Sequence, residues 1–301
     1  MDRQESVAAL LGDVFADQVR EFSSHHAAAR ENDPDGVHDL RVSARRLKSL
    51  LSTGRPFVDR AVTDPVRGEL GWLADVLGQA RDPEVQSARL DAALRDLVEE
   101  RSELDWDADL VGPALVQPLR DLQHAAGGDV AAALDGQRYA DLVARLQELA
   151  DQPPWSPRAH ETVHDAYRLR VRRELRRLDQ QMEAATALGL EPDARDVAFH
   201  DARKSVKRTR YAVQPLLVVY GDRAAILAGR LKELQARLGE LQDTVITRHY
   251  LHDLVVQQAG LDPAVALAAG ALIEREANHA EDYETAAVAA WTSSRAAKKL
   301  R

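Results

Sequence analysis

The stretch VHDLRVSARRLKSLL at residues 37–51 recurs as FHDARKSVKRTRYAV at residues 199–213, with a shift of 162 between the two histidines. Further along, WLADVLGQARDPEV at residues 72–85 matches ELQARLGELQDTVI at residues 233–246 with a shift of 161. Two separate matches at nearly one offset indicate a duplicated unit. Alanine, leucine, arginine and glutamate dominate, and all are good helix formers. We therefore predict an all-α protein in which each half is a bundle of about four helices.

The strongest linker signal is DQPPWSP at residues 151–157, near the middle of the chain. Three prolines within five residues cannot continue a helix. We predict a first helical-bundle repeat at residues 1–150, a linker at 151–158 and a second repeat at 159–301.

The composition restricts the possible partners. The 301 residues contain no cysteine, which excludes disulfides and thiolate metal sites and fits a reducing compartment. The N-terminus shows no secretory signal, and the longest apolar stretch, residues 264–273, is too short to span a bilayer. We expect a cytoplasmic protein with no membrane partner. The net charge of −9 argues against a polyanion partner, but local charge decides what binds where.

Each copy of the repeated stretch has one apolar and one basic face when successive residues are placed 100° apart. The apolar faces hold Leu40, Ala44, Leu47 and Leu51 in the first copy and Ala202, Val206, Val213 and Leu216 in the second. The first basic face holds His38, Arg41, Arg45, Arg46 and Lys48. The second holds His200, Arg203, Lys204, Lys207, Arg208, Arg210 and Tyr211. Each helix is thus expected to pack one face into the core and to present positive charge on the other.

This charge pattern is unusual for a solvated helix face, which normally mixes acidic and basic residues. Like-charged neighbours such as Arg203 with Lys207, or Lys204 with Arg208, each cost about 0.2–0.5 kcal/mol. Four such pairs cost about 1–2 kcal/mol in the second copy alone. Because both copies bear this kind of cost, we interpret the basic faces as an anion-binding site.

A third basic stretch, YRLRVRRELRRLDQQ at residues 167–181, precedes the second copy. Arg168, Arg172 and Arg176 form a row at i,i+4 spacing beside an apolar row, so Arg168 and Arg172 join the candidate binding residues. We expect Arg170, Arg173 and Arg177 to face solvent. The comparable helix near the N-terminus carries only one arginine nearby, Arg20, so the site is expected to be asymmetric.

These motifs resemble the CHAD domain, a family named for conserved histidines in an α-helical domain. The resemblance rests on a helix that begins with histidine and continues with basic residues at i+3, i+7, i+8 and i+10. It also rests on a second helix with a leucine–glycine pair followed by an aspartate. Those residues are Leu77, Gly78, Arg81 and Asp82 in the first copy and Leu238, Gly239, Gln242 and Asp243 in the second. The resemblance covers essentially the whole chain.

The resemblance implies two four-helix bundles related by a pseudo-two-fold axis, with the basic helices around a central channel or groove. It also implies binding of inorganic polyphosphate and an association with polyphosphate granules, without catalysis. We expect Arg81, Asp82 and Asp243 to support the site, the two aspartates by orienting basic side chains or capping a neighbouring helix. We further expect Gly78 and Gly239 to mark close helix–helix approach. No cofactor or metal site is predicted.

Three other functions remain open on the sequence. Four His-Asp pairs and the i,i+4 pair of His160 and His164 would suit a metal-dependent phosphohydrolase, although no glutamate base follows them. Nucleic acid is a less favoured partner, because only Tyr211 lies beside the basic face as a platform for base stacking. The repeated histidines, His38 and His200, also resemble phosphorelay histidines, but no other residue supports that role.

Overall fold

The computed structural model describes residues 5–100, 108–258 and 260–297, and its regular secondary structure there is helical. The α-helices are α1 (Val7–Ser24), α2 (His26–Arg30), α3 (Pro34–Gly54), α4 (Arg60–Glu100), α5 (Ala108–Asp135), α6 (Gln137–Asp151), α7 (Arg168–Ala185), α8 (Pro192–Val213), α9 (Leu216–Tyr220), α10 (Asp222–Gln257) and α11 (Pro263–Ala296). The all-α prediction is confirmed. Within the described residues, none of the helices combines the length and apolar composition needed to cross a bilayer.

The helices follow a similar order in the two halves. α3 and α8 contain the repeated basic stretches, and each is followed by a short helical turn, a long helix (α4 or α10) and a further helix (α5 or α11). The short helix α2 lies between α1 and α3, whereas α7 directly precedes α8. The internal duplication and its pseudo-two-fold axis stay predictions that this order accommodates.

α3 begins tightly against α2. The side chain of Asp33 accepts a 2.9 Å hydrogen bond from the backbone N–H of Gly36, and Pro34 occupies the first turn, where no N–H is needed. A Cβ atom at Gly36 would lie 2.6 Å from the backbone carbon of Ala28. Only glycine permits this approach, which fixes the start of the first basic helix.

The apolar faces of α3 and α8 lie in the core, as predicted. Leu40, Leu47 and Val206 are fully buried, and the other predicted members of both faces are buried as well. Burial of one such side chain contributes about 1.5–3 kcal/mol to folding. Since the apolar side of each helix is fixed inward, the basic side of each must lie at or near the surface.

Residues of both halves share the core. The larger apolar cluster includes residues from Val7 to Trp291. A second cluster joins the last part of α4 and the first part of α5 to α10 and α11. The backbone N–H of Val7 donates to the carbonyl of Glu161 (3.0 Å), and that of Val163 donates to Glu5 (2.9 Å). The boundaries at 150 and 159 stay predictions, but the two halves do not have separate cores.

Candidate functional site

A groove of about 690 Å³ lies between the two basic helices. α3 contributes Arg41, Arg45, Lys48, Ser49 and Ser52, and α8 contributes Asp201, Lys204, Ser205, Lys207, Arg208 and Tyr211. Ala74 and Asp75 of α4 and Arg177 and Gln181 of α7 complete the lining. Seven of these residues are basic and two are acidic, so the groove is strongly positive on a protein of net charge −9. Such a local field attracts anions whatever the net charge.

Three of the groove cations have an acidic partner. The guanidinium of Arg41 donates to both carboxylate oxygens of Asp82, at 2.6 and 3.1 Å. Lys204 pairs with Asp201 one turn away, and this contact lowers the pKa of the aspartate. Arg208 Nε lies 3.2 Å from a carboxylate oxygen of Glu174. These acids orient the basic groups and offset part of their charge.

The other four groove cations, Arg45, Lys48, Arg177 and Lys207, have no acidic partner within hydrogen-bond distance among the described residues. The lack of an acidic partner has its clearest effect on the pKa of Lys207. Burial and the positive charges of Arg203, Arg45 and Arg41 lower its pKa to about 7. Four unpaired cations in one groove leave a positive charge that an anionic ligand could neutralise.

A buried acid behind the groove connects three helices. The Glu174 side chain on α7 is only 4% exposed. It pairs with Arg170 (Nη1 to Oε1, 2.6 Å) and with Arg208 of α8. Arg170 Nε in turn donates to the backbone carbonyl of Thr53 in α3, at 3.3 Å. Glu174 therefore holds a groove arginine and links α7 to both basic helices.

Comparisons with known proteins agree with this architecture. The family model for the CHAD domain matches residues 13–252. This chain belongs to the CHAD domain family. Two Mycobacterium tuberculosis proteins, Uncharacterized protein Rv2226 and Uncharacterized protein MT2285, are 31% and 30% identical to it over 277 residues. Those alignments cover 89% of this chain and 50% of each relative, so the chain spans about half the length of these curated relatives.

Two solved structures share the fold. PptA from Streptomyces chartreusis has a TM-score of 0.80 and 23% sequence identity, over 96% of this chain and 100% of that one. The CHAD domain from the plant Ricinus communis has a TM-score of 0.62 and 22% identity, over 100% of this chain and 94% of that one. At these identities the likeness shows a common fold.

The structure places half of the fourteen predicted binding residues in the lining of the groove. Arg41, Arg45, Lys48, Lys204, Lys207, Arg208 and Tyr211 line it. His38 is exposed at the start of α3 and lies outside the lining. Arg203 is half-buried outside the lining; burial lowers its pKa, against the opposing effect of Asp243. Their ligand contacts stay predictions.

Other predicted binding residues make contacts with neighbouring helices instead. His200 Nδ1 lies 2.6 Å from the Gln242 amide oxygen on α10. Arg46 donates to Glu21 of α1 at 2.6 Å. Arg210 donates to Gln235 at 2.8 Å and covers the ring of Tyr211 at 4.6 Å. These residues position the basic helices against their surroundings.

The flank of α7 that lines the groove differs from the predicted row of Arg168 and Arg172, whose ligand contacts stay predictions. Arg168 and Arg172 lie outside the groove lining, whereas Arg177, which was expected only to face solvent, lines it. Arg170 was also expected in solvent but pairs with buried Glu174. The helical wheel identifies two basic flanks beside the apolar stripe, and only packing decides which flank meets α8. Glu174, the single acid among residues 168–178, was the signal that could have indicated the correct flank.

The supporting residues fall into three situations. Asp82 orients Arg41, which is the contact that its predicted role requires. Arg81 forms an ion pair with Glu84 on its own helix and does not reach the groove. Burial raises the pKa of Asp243, while the positive charges of Arg203 and Arg89 oppose this shift.

The two glycines predicted to mark close helix approach also differ. A Cβ at Gly78 would lie 3.0 Å from the Arg41 guanidinium, so the close neighbour is a side chain and not another helix backbone. A Cβ at Gly239 would have nothing within 4 Å. The expectation of close helix–helix approach is wrong at both positions.

The described ranges, 5–100, 108–258 and 260–297, contain no group of three His, Asp or Glu side chains placed to hold one metal ion. His164, a member of the suggested i,i+4 pair, has Nδ1 at 3.3 Å from the hydroxyl of Tyr220.

Proposed function

We propose that this CHAD protein binds inorganic polyphosphate, without turning it over, in the groove between α3 and α8. The observation that carries the proposal is the set of seven cations from three helices on one groove, four of them without an acidic partner among the described residues. The family resemblance supports the identity of the ligand, and the groove supports its class, a long polyanion.

The chemistry of the lining suits a ligand that offers only repeated phosphate groups. Guanidinium groups such as Arg45 and Arg177 can donate two parallel hydrogen bonds to phosphate oxygens. Lysines such as Lys48 and Lys207 add compact point charges. Since the charge is spread along α3 and α8, a chain that engages many groups at once should bind better than one small anion.

The direct test measures binding of long-chain polyphosphate at several salt concentrations. The log–log slope of affinity against salt should lie between about 3, for four contacts, and about 5, for seven contacts, if single-strand behaviour applies. Tripolyphosphate should bind more weakly than the long chain. Equal affinity per molecule would instead indicate a small-anion pocket.

The site is tested by charge reversal of Arg45 and Lys207. The double variant Arg45→Glu with Lys207→Glu should lose binding by at least about a hundredfold, since two attractive contacts become repulsive. A second pair, Arg45→Gln with Lys48→Gln, perturbs the fold less and should weaken binding about tenfold. The matched control is Arg145→Glu with Arg237→Glu, which reverses two exposed arginines that lie outside the groove and, like Arg45, have no ion-pair partner among the described residues. Unchanged binding in both groove variants would refute the site.

Two measurements separate this function from its rivals. Prolonged incubation with polyphosphate, with and without divalent metal, should release no orthophosphate, and steady release would make the protein a hydrolase. DNA or RNA at equal phosphate concentration should not displace polyphosphate, and displacement would make the groove a general phosphate-backbone site. Localisation to polyphosphate granules is a further part of the proposal, and it should be lost with the groove charges.

A further inference from the structure

The outer side of α7 bears a second group of arginines, Arg172, Arg173 and Arg176, here termed the outer arginine strip. All three side chains are exposed. Among the described residues, none of the three has an ion-pair partner or a side-chain hydrogen bond. The strip is therefore a concentration of free positive charge that the groove itself does not include.

The strip begins at the edge of the groove. With Arg177 of the groove lining placed at zero and about 100° per residue, Arg173 lies about 40° away, Arg176 about 100° and Arg172 about 140°, all in the same direction. Gln181 and Glu174 lie on the opposite side of Arg177, toward the groove and α8. The arginines thus form a continuous path from the groove edge around the outside of α7.

Exposed arginines elsewhere on this surface are commonly paired with acids. Arg20 pairs with Asp17, Arg30 with Asp135 and Arg138 with Glu69. Single exposed arginines without an ion-pair partner, such as Arg145 and Arg237, also occur among the described residues, but the strip places three of them within five residues of one helix. α1, which precedes the first basic helix, offers only Arg20, so no comparable strip extends from the groove on that side.

We propose that a polyphosphate chain held in the groove leaves it past Arg177 and continues across α7 on Arg173 and Arg176, toward Arg172. This inference rests on the proposed function and extends it. The site then has a groove segment that any polyphosphate can occupy and a surface segment that only longer chains reach. Chain-length preference is set by the strip, and the bound chain extends from the α7 side of the molecule.

The test compares two probes on one variant. In Arg173→Gln with Arg176→Gln, affinity for long-chain polyphosphate should fall roughly fivefold, as expected for two exposed ion pairs. The salt slope should fall by about 1.4. Affinity for tripolyphosphate should stay unchanged, because the groove retains all seven cations. Arg145→Gln with Arg237→Gln, which removes two exposed arginines without an ion-pair partner among the described residues, serves as the control for a general loss of charge and should leave both probes unaffected.

The outcomes distinguish this inference from the proposed function. If the unmodified protein binds no polyphosphate, the proposed function fails. If it binds but the strip variant keeps the long-chain affinity and slope, only the extension over α7 is wrong. An equal weakening for both probes, or the same loss in the control variant, would show long-range attraction without a surface segment and would also overturn the extension.

Discussion

The two basic helices derive from matching sequence stretches but hold their cations differently. On α3 the basic side chains lie over glycines of α4: a Cβ at Gly71 would be 2.7 Å from Lys48 Nζ, and one at Gly78 would be 3.0 Å from Arg41. The acid that holds Arg41, Asp82, is itself 68% exposed. On α8 the acid that holds Arg208, Glu174, is buried, and Lys207 is half-buried without an acidic partner.

The difference shows that one motif can present charge in two ways. α3 presents one exposed cation, Arg45, together with Lys48 and Arg41, which lie over α4, and the Arg41 side chain is only 17% exposed. On α8, burial lowers the pKa of Arg203, Lys207 and Arg208, so the charges of these three groups are more sensitive to changes in their surroundings. We therefore expect changes near the cations of α8 to alter the free energy of unfolding and the polyphosphate affinity more than matched changes on α3 do.

The largest expected effect is the difference in stability loss when the two acids, Glu174 and Asp82, are removed. Glu174→Ala should lower the free energy of unfolding by about 3 kcal/mol, because it leaves Arg170 and Arg208 close together without their buried counter-charge. Asp82→Ala should cost less, about 1 kcal/mol, since the Asp82 carboxylate is 68% exposed and solvent screens its attraction to Arg41. Chemical denaturation of both variants measures the contrast. Equal losses would mean that the two helices hold their arginines in the same way.

The pH dependence of binding provides the next contrast. The pKa of Lys207, lowered to about 7, means that the free protein loses this proton as pH rises through neutrality. Since the protonated form binds the polyanion, affinity for long-chain polyphosphate should fall by up to about tenfold between pH 6 and pH 8. Folding responds in the opposite sense: unfolded Lys207 keeps its proton until higher pH, so this residue adds stability as pH rises from about 7 toward 10.5.

Matched variants assign this response to one helix. Lys207→Met on α8 should bind more weakly and lose the fall in affinity with pH. Arg45→Gln on α3 should also bind more weakly but retain the fall in affinity, displaced to higher pH, because Arg45 is one of the charges that lower the pKa of Lys207. A pH response that survives in Lys207→Met would place the titrating group elsewhere and remove this difference between the helices.

The smallest expected effects come from alanine substitutions at the two matching glycines, Gly78 and Gly239. Gly239→Ala should stabilise the protein by about 1 kcal/mol, because alanine favours the helix and the new Cβ meets nothing within 4 Å. Gly78→Ala gains the same propensity but displaces the Arg41 guanidinium, so polyphosphate affinity should fall about twofold. Thermal unfolding and the binding assay measure the pair. A loss of affinity in Gly239→Ala would contradict the distinction.

The sequence predicted the inward faces of α3 and α8 because helical periodicity alone decides which side is apolar, and residues such as Leu47 and Val206 lie where the wheel puts them. It could not choose between the two basic flanks of α7, since Arg172 and Arg177 differ only in which helix packs beside them. Nor could it find Glu174, whose importance depends on Arg208 of another helix. Gly78 and Gly239 are alike in local sequence and differ only in what approaches them.

The second apolar cluster has a consequence for how the chain is made. Its first members lie between Leu90 and Leu119, whereas its last members, up to Leu272 of α11, are translated more than 150 residues later. At about 5–20 residues per second this delay lasts roughly 8 to 30 seconds. During that interval the cluster residues of α4 and α5 lack their contacts with α10 and α11, so this part of the core is completed only after α11 has been made.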